Sequence, residues 1–326
     1  MTRVCIVGAG AIGGFIGTRL AAAGEAQVGA LARGATLEAL AEHGWRMDTA
    51  AGRLQGPIAQ VGSDARALGP QDLVVIAVKA PALTQIAEQI GPLIGPETVV
   101  LPAMNGVPWW FCEGQPGFDG YRLGSADPSG RIGEAIPFDR VLGCVVHAST
   151  STPEPGLVRH AMGNGLIVGE PRGGGSARTE RVVGLLQRAG FDAVASNDVR
   201  RDIWYKLWGN MTMNPVSAIT GATIDRVLGD PLVRGFCSAA MTEAAEIGRR
   251  IGCPIDQGVE DRHAITEKLG AFKTSMLQDV EAGRPLELDT IVGAAFEIGQ
   301  KLGLPTPHIA ALFGLARLFG RGRGLY

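Results

Sequence analysis

The 326-residue sequence predicts an α/β half built on a parallel sheet, followed by an all-α half. Short apolar runs alternate with helical patterns as far as Ser196-Asn197, and no strand pattern appears from Asp198 onward. The length exceeds that of a typical single domain. The expected domains are residues 1–197 and 198–326.

Arg3 to Val7 is a short apolar run, read as a buried parallel strand. It leads into Gly8-Ala9-Gly10-Ala11-Ile12-Gly13-Gly14, and Phe15 to Ala23 reads as a helix closed by Gly24. Between a strand and a helix, Gly8 allows a tight turn, Gly10 the close approach of a pyrophosphate and Gly13 close helix–strand packing. The helix N-terminus adds N–H groups and a positive dipole end, so Gly8, Gly10, Ala11, Ile12 and Gly13 are the expected cofactor contacts. The half therefore reads as a Rossmann-type dinucleotide-binding domain, the alternative being a glycine turn with no ligand. The next strand, Ala26 to Ala32, ends in Arg33-Gly34. NAD-binding domains place an Asp or Glu there for the ribose hydroxyl, whereas Glu25 lies at the wrong end of this strand. Arg33 would face a 2′-phosphate with a bidentate guanidinium, which predicts NADPH as cofactor. The alternative is a surface arginine.

Trp45 to Val61 reads as a hairpin insertion around Gly52 and Gly56. Leu73 to Val78 is a strand ending in Lys79-Ala80-Pro81, and Thr98 to Ala103 is another, ending in Met104-Asn105-Gly106. Ligands of open α/β sheets lie outside the carboxyl ends of strands, which makes Lys79 and Asn105 cofactor-side candidates. An ordinary surface loop, with Asn-Gly as a turn, fits both positions too. Val107 to Pro137 has little periodicity. Its Trp109-Trp110-Phe111 is expected to pack on its own domain or, as a second reading, to wall an apolar substrate pocket. Val141 to Ser149, Leu157 to His160 and Leu166 to Gly169 read as short antiparallel strands. A helix, Ala177 to Ala189, and a strand, Phe191 to Ala195, complete the half. His147 and His160 lack partners at ligand spacing and read as structural.

The second half opens with Asp202-Ile203-Trp204-Tyr205-Lys206-Leu207-Trp208-Gly209-Asn210-Met211-Thr212-Met213-Asn214-Pro215. In a helix, Lys206, Asn210 and Asn214 stack on one face. One cation and two amides could grip and protonate a small polar molecule; on spacing alone a solvated face fits equally well. Pro215 biases Asn214 away from helical geometry, and an early helix end would take Asn214 off the shared face. Asp230-Pro231 is an N-cap followed by proline, starting a helix to Ile251. Asp256 to Lys273, Thr290 to Leu302 and Pro307 to Phe319 read as further helices. A cleft between the halves, lined by the Lys206 face, is the expected ligand site. Ser275 lies among mostly apolar neighbours, while Glu287 and Asp289 precede a helix, where capping explains them as readily as catalysis does.

Net charge is −2 with Lys and Arg scattered, which argues against nucleic acid or an anionic membrane as partner. The five cysteines form no CxxC pair, so free thiols are expected, with no metal site, in a reducing, cytoplasmic setting. The sequence contains no apolar run long enough to span a bilayer, and its opening is expected to be a strand rather than a signal peptide. The apolar C-terminal helices could pack internally or in a homodimer.

In Gly8-x-Gly10-x-x-Gly13-Gly14, Arg33, Val78-Lys79-Ala80, Asn105-Gly106, Lys206-x3-Asn210-x3-Asn214-Pro215, Ser275-Met276-Leu277-Gln278-Asp279 and Glu287-x-Asp289, taken in order, the chain resembles the ketopantoate reductase (2-dehydropantoate 2-reductase) family. The resemblance implies hydride transfer from NADPH to the 2-oxo carbon of a small acid, most directly 2-dehydropantoate on the way to pantothenate. It implies Lys206 as general acid and Glu287 as the carboxylate that orients substrate and lysine. Asn210, Asn214 and Ser275 would bind the substrate's carboxylate and hydroxyl groups, with Asn105 and Lys79 on the nucleotide-domain side. Gly221-Ala222-Thr223-Ile224 lacks an Asn that pantoate-forming members often carry, and Leu286 stands where the family often has Thr. With the tryptophan loop, these departures leave open a sibling reductase of a bulkier 2-oxo acid. A non-catalytic NADP(H) sensor is the reading from another class; it needs the glycine loop and Arg33 but no proton donor.

Overall fold

A computed structural model describes residues 1–326, and these divide into two compact units. The first comprises Met1–Met104 and Ser129–Asp202, the second Asn105–Pro128 and Ile203–Tyr326.

The first unit holds two sheets. Strands β1 (Thr2–Val7), β2 (Ala26–Leu31), β5 (Val61–Gly62), β6 (Gln71–Ile76) and β7 (Ile94–Pro102) form a parallel sheet in the order β5-β2-β1-β6-β7. The apolar runs read as buried strands are buried: Val4 to Val7 and Leu73 to Ile76 are closed off from solvent. The second sheet joins the hairpin β3 (Trp45–Thr49) and β4 (Gly52–Gly56) to β8 (Gly143–Glu154), β9 (Leu157–Gly169) and β10 (Asp192–Ser196). Its order is β10-β9-β3-β4, with β8 antiparallel to β9. The runs expected as two short strands, Leu157–His160 and Leu166–Gly169, belong to one strand, β9. Gly163, at φ +78°, lets that strand shift register against β8 instead of stopping.

Helix α1 (Ala11–Ala23) packs against strands of both sheets, and its glycines record the fit. A methyl at Gly14 would meet Val158 of β9 at 2.5 Å, and one at Gly17 would meet the Trp45 ring of β3 at 2.6 Å. Gly24 ends the helix in the left-handed conformation (φ +70°). Helices α2 (Gly34–His43), α3 (Ala65–Leu68), α4 (Ala80–Ala87), α5 (Arg131–Ala135) and α6 (Ala177–Arg188) complete the unit.

The second unit is helical. It contains most of α7 (Val199–Thr220), then α8 (Ile224–Gly229), α9 (Pro231–Arg250), α10 (Val259–Glu267), α11 (Ser275–Glu281), α12 (Ala294–Lys301) and α13 (Pro307–Gly322). The Asp230 carboxylate accepts from the amides of Leu232 and Val233 at 2.9 and 3.0 Å, starting α9 as the Asp-Pro pair predicts. Helix α10 is shorter than the expected Asp256–Lys273, because Gly258 caps its start and Gly270 (φ +62°) turns the chain soon after its end. The helix expected from Thr290 begins instead as a π-helical turn, Asp289–Gly293, that runs into α12. No helix is long and apolar enough to cross a membrane.

Residues 105–128 depart from the expectation that they pack on the nucleotide-binding half: they belong to the helical unit. Trp109 and Trp110 are buried, and Phe111 stacks on Trp204 of α7 with ring centroids 5.9 Å apart. Burying three consecutive large aromatics outweighs the sequence order that would leave the segment with its neighbours. Its remaining turns are secured by the Glu297 carboxylate, which accepts from the Tyr121 hydroxyl and the amides of Gly124 and Ser125 at 2.9, 2.8 and 2.7 Å. Glu297→Ala should lower unfolding free energy by about 2 kcal/mol, by the usual worth of hydrogen bonds to a charged group. Urea denaturation measures this, and proteolytic nicking should concentrate between Glu113 and Ser125.

Candidate active site

Helix α7 is set by Trp204, Leu207, Trp208 and Met211, all buried at helical spacing. The indole N–H groups of Trp204 and Trp208 donate to the carbonyls of Ala244 and Met241 on α9, at 3.1 and 2.7 Å. Those bonds lock the rotation of α7 and leave Lys206, Asn210 and Asn214 on another face. Helix α7 does not end at Pro215; it continues to Thr220 with Pro215 inside it. Residues 211–218 are all buried, so packing carries the helix past the hydrogen bond that proline cannot make. Asn214 accordingly stays on the shared face, and 95% of its surface is buried.

The Lys206 ammonium donates to Asn105 Oδ1 at 2.8 Å. Asn105 opens a tight turn whose next residue, Gly106, has φ +84°. A methyl on Gly106 would lie 2.6 Å from Thr290 Oγ1, and the Val107 amide donates to the Thr290 carbonyl at 2.8 Å. Thr290 belongs to the π-helical turn that follows Glu287, a half-buried residue whose carbonyl accepts from Ile291 at 3.3 Å. Asn105, Lys206 and the Glu287–Thr290 segment are thus linked through backbone and side chain. Asn210 and Asn214 extend the same helix face. Ser275 makes no bond to this network; it is exposed at the first position of α11, where Thr274 Oγ1 supplies the cap by accepting from Leu277 at 3.2 Å.

Two polar atoms here are buried without a partner, Asn214 Nδ2 and Thr290 Oγ1. An orphaned buried donor costs about 1–3 kcal/mol, a penalty that a bound ligand's acceptor would remove. Thr290 escaped the sequence reading; the only signal was the Asn-Gly pair, whose positive φ allows the close approach.

In the first unit the glycine turn has the expected geometry. Gly8 is at φ +90°, and a methyl there would meet Val78 Cγ1 at 2.6 Å. A methyl at Gly13 would overlap the Gly8 carbonyl oxygen. Gly10 differs: it is exposed, caps α1 without a side-chain bond, and a methyl there would meet nothing within 4 Å. No contact within the chain requires glycine at that position, whereas a phosphate approaching the α1 N-terminus, with the amides of Ala11 and Ile12, would. Arg33 is exposed at the α2 N-cap without an ion pair, and Glu25 is committed to Arg188 at 2.8 Å. Lys79 is half-buried at the N-cap of α4.

Residues 4–173 match the family Ketopantoate reductase PanE/ApbA, and residues 198–319 match Ketopantoate reductase PanE/ApbA C terminal. The chain belongs to the ketopantoate reductase family. Among relatives, the 2-dehydropantoate 2-reductase of Mesorhizobium japonicum is 41% identical over 99% of both chains. Among solved structures, a Ralstonia solanacearum protein described as a candidate ketopantoate reductase is 56% identical over 100% of both chains, with a TM-score of 0.95. The 2-dehydropantoate 2-reductase of Geobacter metallireducens is 27% identical, covering 97% of this chain and 99% of its own, with a TM-score of 0.85.

The two family glycines make different predictions. Gly10→Ala should leave the thermal midpoint unchanged and weaken dinucleotide binding at least about 10-fold, as expected when a backbone can no longer approach a phosphate. Gly13→Ala should lower both, because its methyl has no room. Differential scanning fluorimetry with and without NADPH measures the pair.

Proposed function

We propose that the protein reduces a 2-oxo acid to the 2-hydroxy acid with NADPH, 2-dehydropantoate being the substrate and pantothenate biosynthesis the pathway. The observation that carries this is the Lys206–Asn105 bond, formed in a chain whose 41%-identical relative is named for that reaction. Gly8, Gly10, Ala11, Ile12 and Gly13 would hold the cofactor's diphosphate, and Arg33 its 2′-phosphate. When bound, the cofactor supplies the hydride.

Lys206 gives its proton to the substrate's carbonyl oxygen, where alkoxide charge develops. An ammonium has three donors, and the bond to Asn105 uses one of them. Asn105 thereby restricts a long, flexible side chain. Glu287 orients lysine and substrate, while Asn210, Asn214 and Ser275 bind the substrate's carboxylate and hydroxyl groups. The unpaired Asn214 amide fits that role as a donor.

The sibling reading, a bulkier acid held against a tryptophan wall, is separated from this one by the choice of substrate alone. A sensor would have no use for a lysine held in place by Asn105.

Following NADPH absorbance against a panel of 2-oxo acids tests the reading. The highest kcat/KM is expected with 2-dehydropantoate, and Arg33→Ala should weaken NADPH about 10- to 100-fold, the equivalent of one charge-assisted bond, without affecting NADH. Equal efficiency with NADH, or undiminished NADPH affinity in Arg33→Ala, would contradict the cofactor assignment. Tight NADPH binding with no turnover of any acid would contradict the reductase itself.

A further inference from the structure

The residues flanking Glu287 are held by Leu325 and Tyr326. Helix α13 ends at Gly322, and Gly324, at φ +66°, reverses the chain, with the Leu325 amide donating to the Gly320 carbonyl at 2.8 Å. The reversal lays Leu325 and Tyr326 along the 286–289 segment. The Leu286 amide donates to the Leu325 carbonyl at 2.9 Å, and the Tyr326 hydroxyl donates to Asp289 Oδ1 at 2.6 Å. Close approach is built in: a methyl at Gly320 would lie 2.8 Å from Tyr326 Cβ. Leu286 and Leu325 are buried at 3% and 7% exposure, so the backbone bond is shielded from water.

Glu287 therefore sits between two fastened points. Beyond Asp289 the same segment carries Thr290, whose carbonyl holds the turn that begins with Asn105, the partner of Lys206. We propose that Tyr326 is a positioning residue, which fixes the Glu287 carboxylate relative to Lys206 by holding Asp289 while Leu325 holds Leu286. This rests on the reading of Lys206 and Glu287 as proton donor and orienting carboxylate. Burial, and after it the bond to Asp289, push the Tyr326 hydroxyl up to about 12, so it stays a donor at neutral pH.

Tyr326→Phe removes the hydroxyl and little else. With 2-dehydropantoate and NADPH, kcat should fall about 10- to 100-fold, the scale of displacing a reacting group without removing it, with the NADPH dissociation constant unchanged. Asp289→Asn keeps an acceptor for Tyr326 and should retain most of the activity, whereas Asp289→Ala should match Tyr326→Phe. The decisive comparison adds Tyr326→Phe to Glu287→Gln, measured at enzyme concentrations high enough to follow slow turnover. With no carboxylate left to place, the second change should lower kcat no further. Parental kcat in Tyr326→Phe, or an equal loss in both backgrounds, would overturn the proposal; the latter would mark a merely structural strap. Full activity in Glu287→Gln would instead refute the reading of the site on which the proposal rests.

Discussion

The hydrogen bond from Lys206 to Asn105 depends on two independent restraints. On the lysine side, the indoles of Trp204 and Trp208 pin α7 to α9, so the helix cannot rotate without leaving buried N–H donors unpaired. On the asparagine side, Gly106 brings the turn against Thr290 more closely than any side chain would allow. A lysine at the surface would lose much of its side-chain entropy on being aimed. Here that cost is borne in folding, which leaves the ammonium preorganised.

Glycine does comparable work around α1. Packed against both sheets, the helix needs glycine where it meets β1, Val158 and Trp45, so Gly13, Gly14 and Gly17 are explained by packing within the chain. Of the glycines from Gly8 to Gly17, Gly10 alone has open space before it. The same run of glycines thus contains a set explained by packing and one member, Gly10, that packing does not explain, and only the three-dimensional surroundings separate them.

What the sequence made legible was local. Apolar runs bounded by turns located the parallel strands, and the strand–glycine–helix context of Gly8 to Gly13 identified the turn. Four-residue spacing put Lys206, Asn210 and Asn214 on one face. Where a distant partner decided the outcome, the local signal was ambiguous or silent. Pro215 carries a real local penalty, but burial along 211–218 overrides it. Trp109 and Trp110 offered aromatic surface without saying what covers it, and Phe111 meets Trp204 from far along the chain. Tyr326 gave no signal at all, since its meaning depends on where Asp289 lies in space.

Chemical rescue of Lys206→Ala tests the central claim most directly. With 2-dehydropantoate and NADPH, the variant's kcat should fall roughly 10²- to 10⁴-fold, the range for losing a general acid. Adding methylammonium should restore part of that loss in proportion to its concentration, because a free ammonium can deliver the missing proton. The same salt should do nothing for the parent. A near-normal kcat in Lys206→Ala would contradict the account.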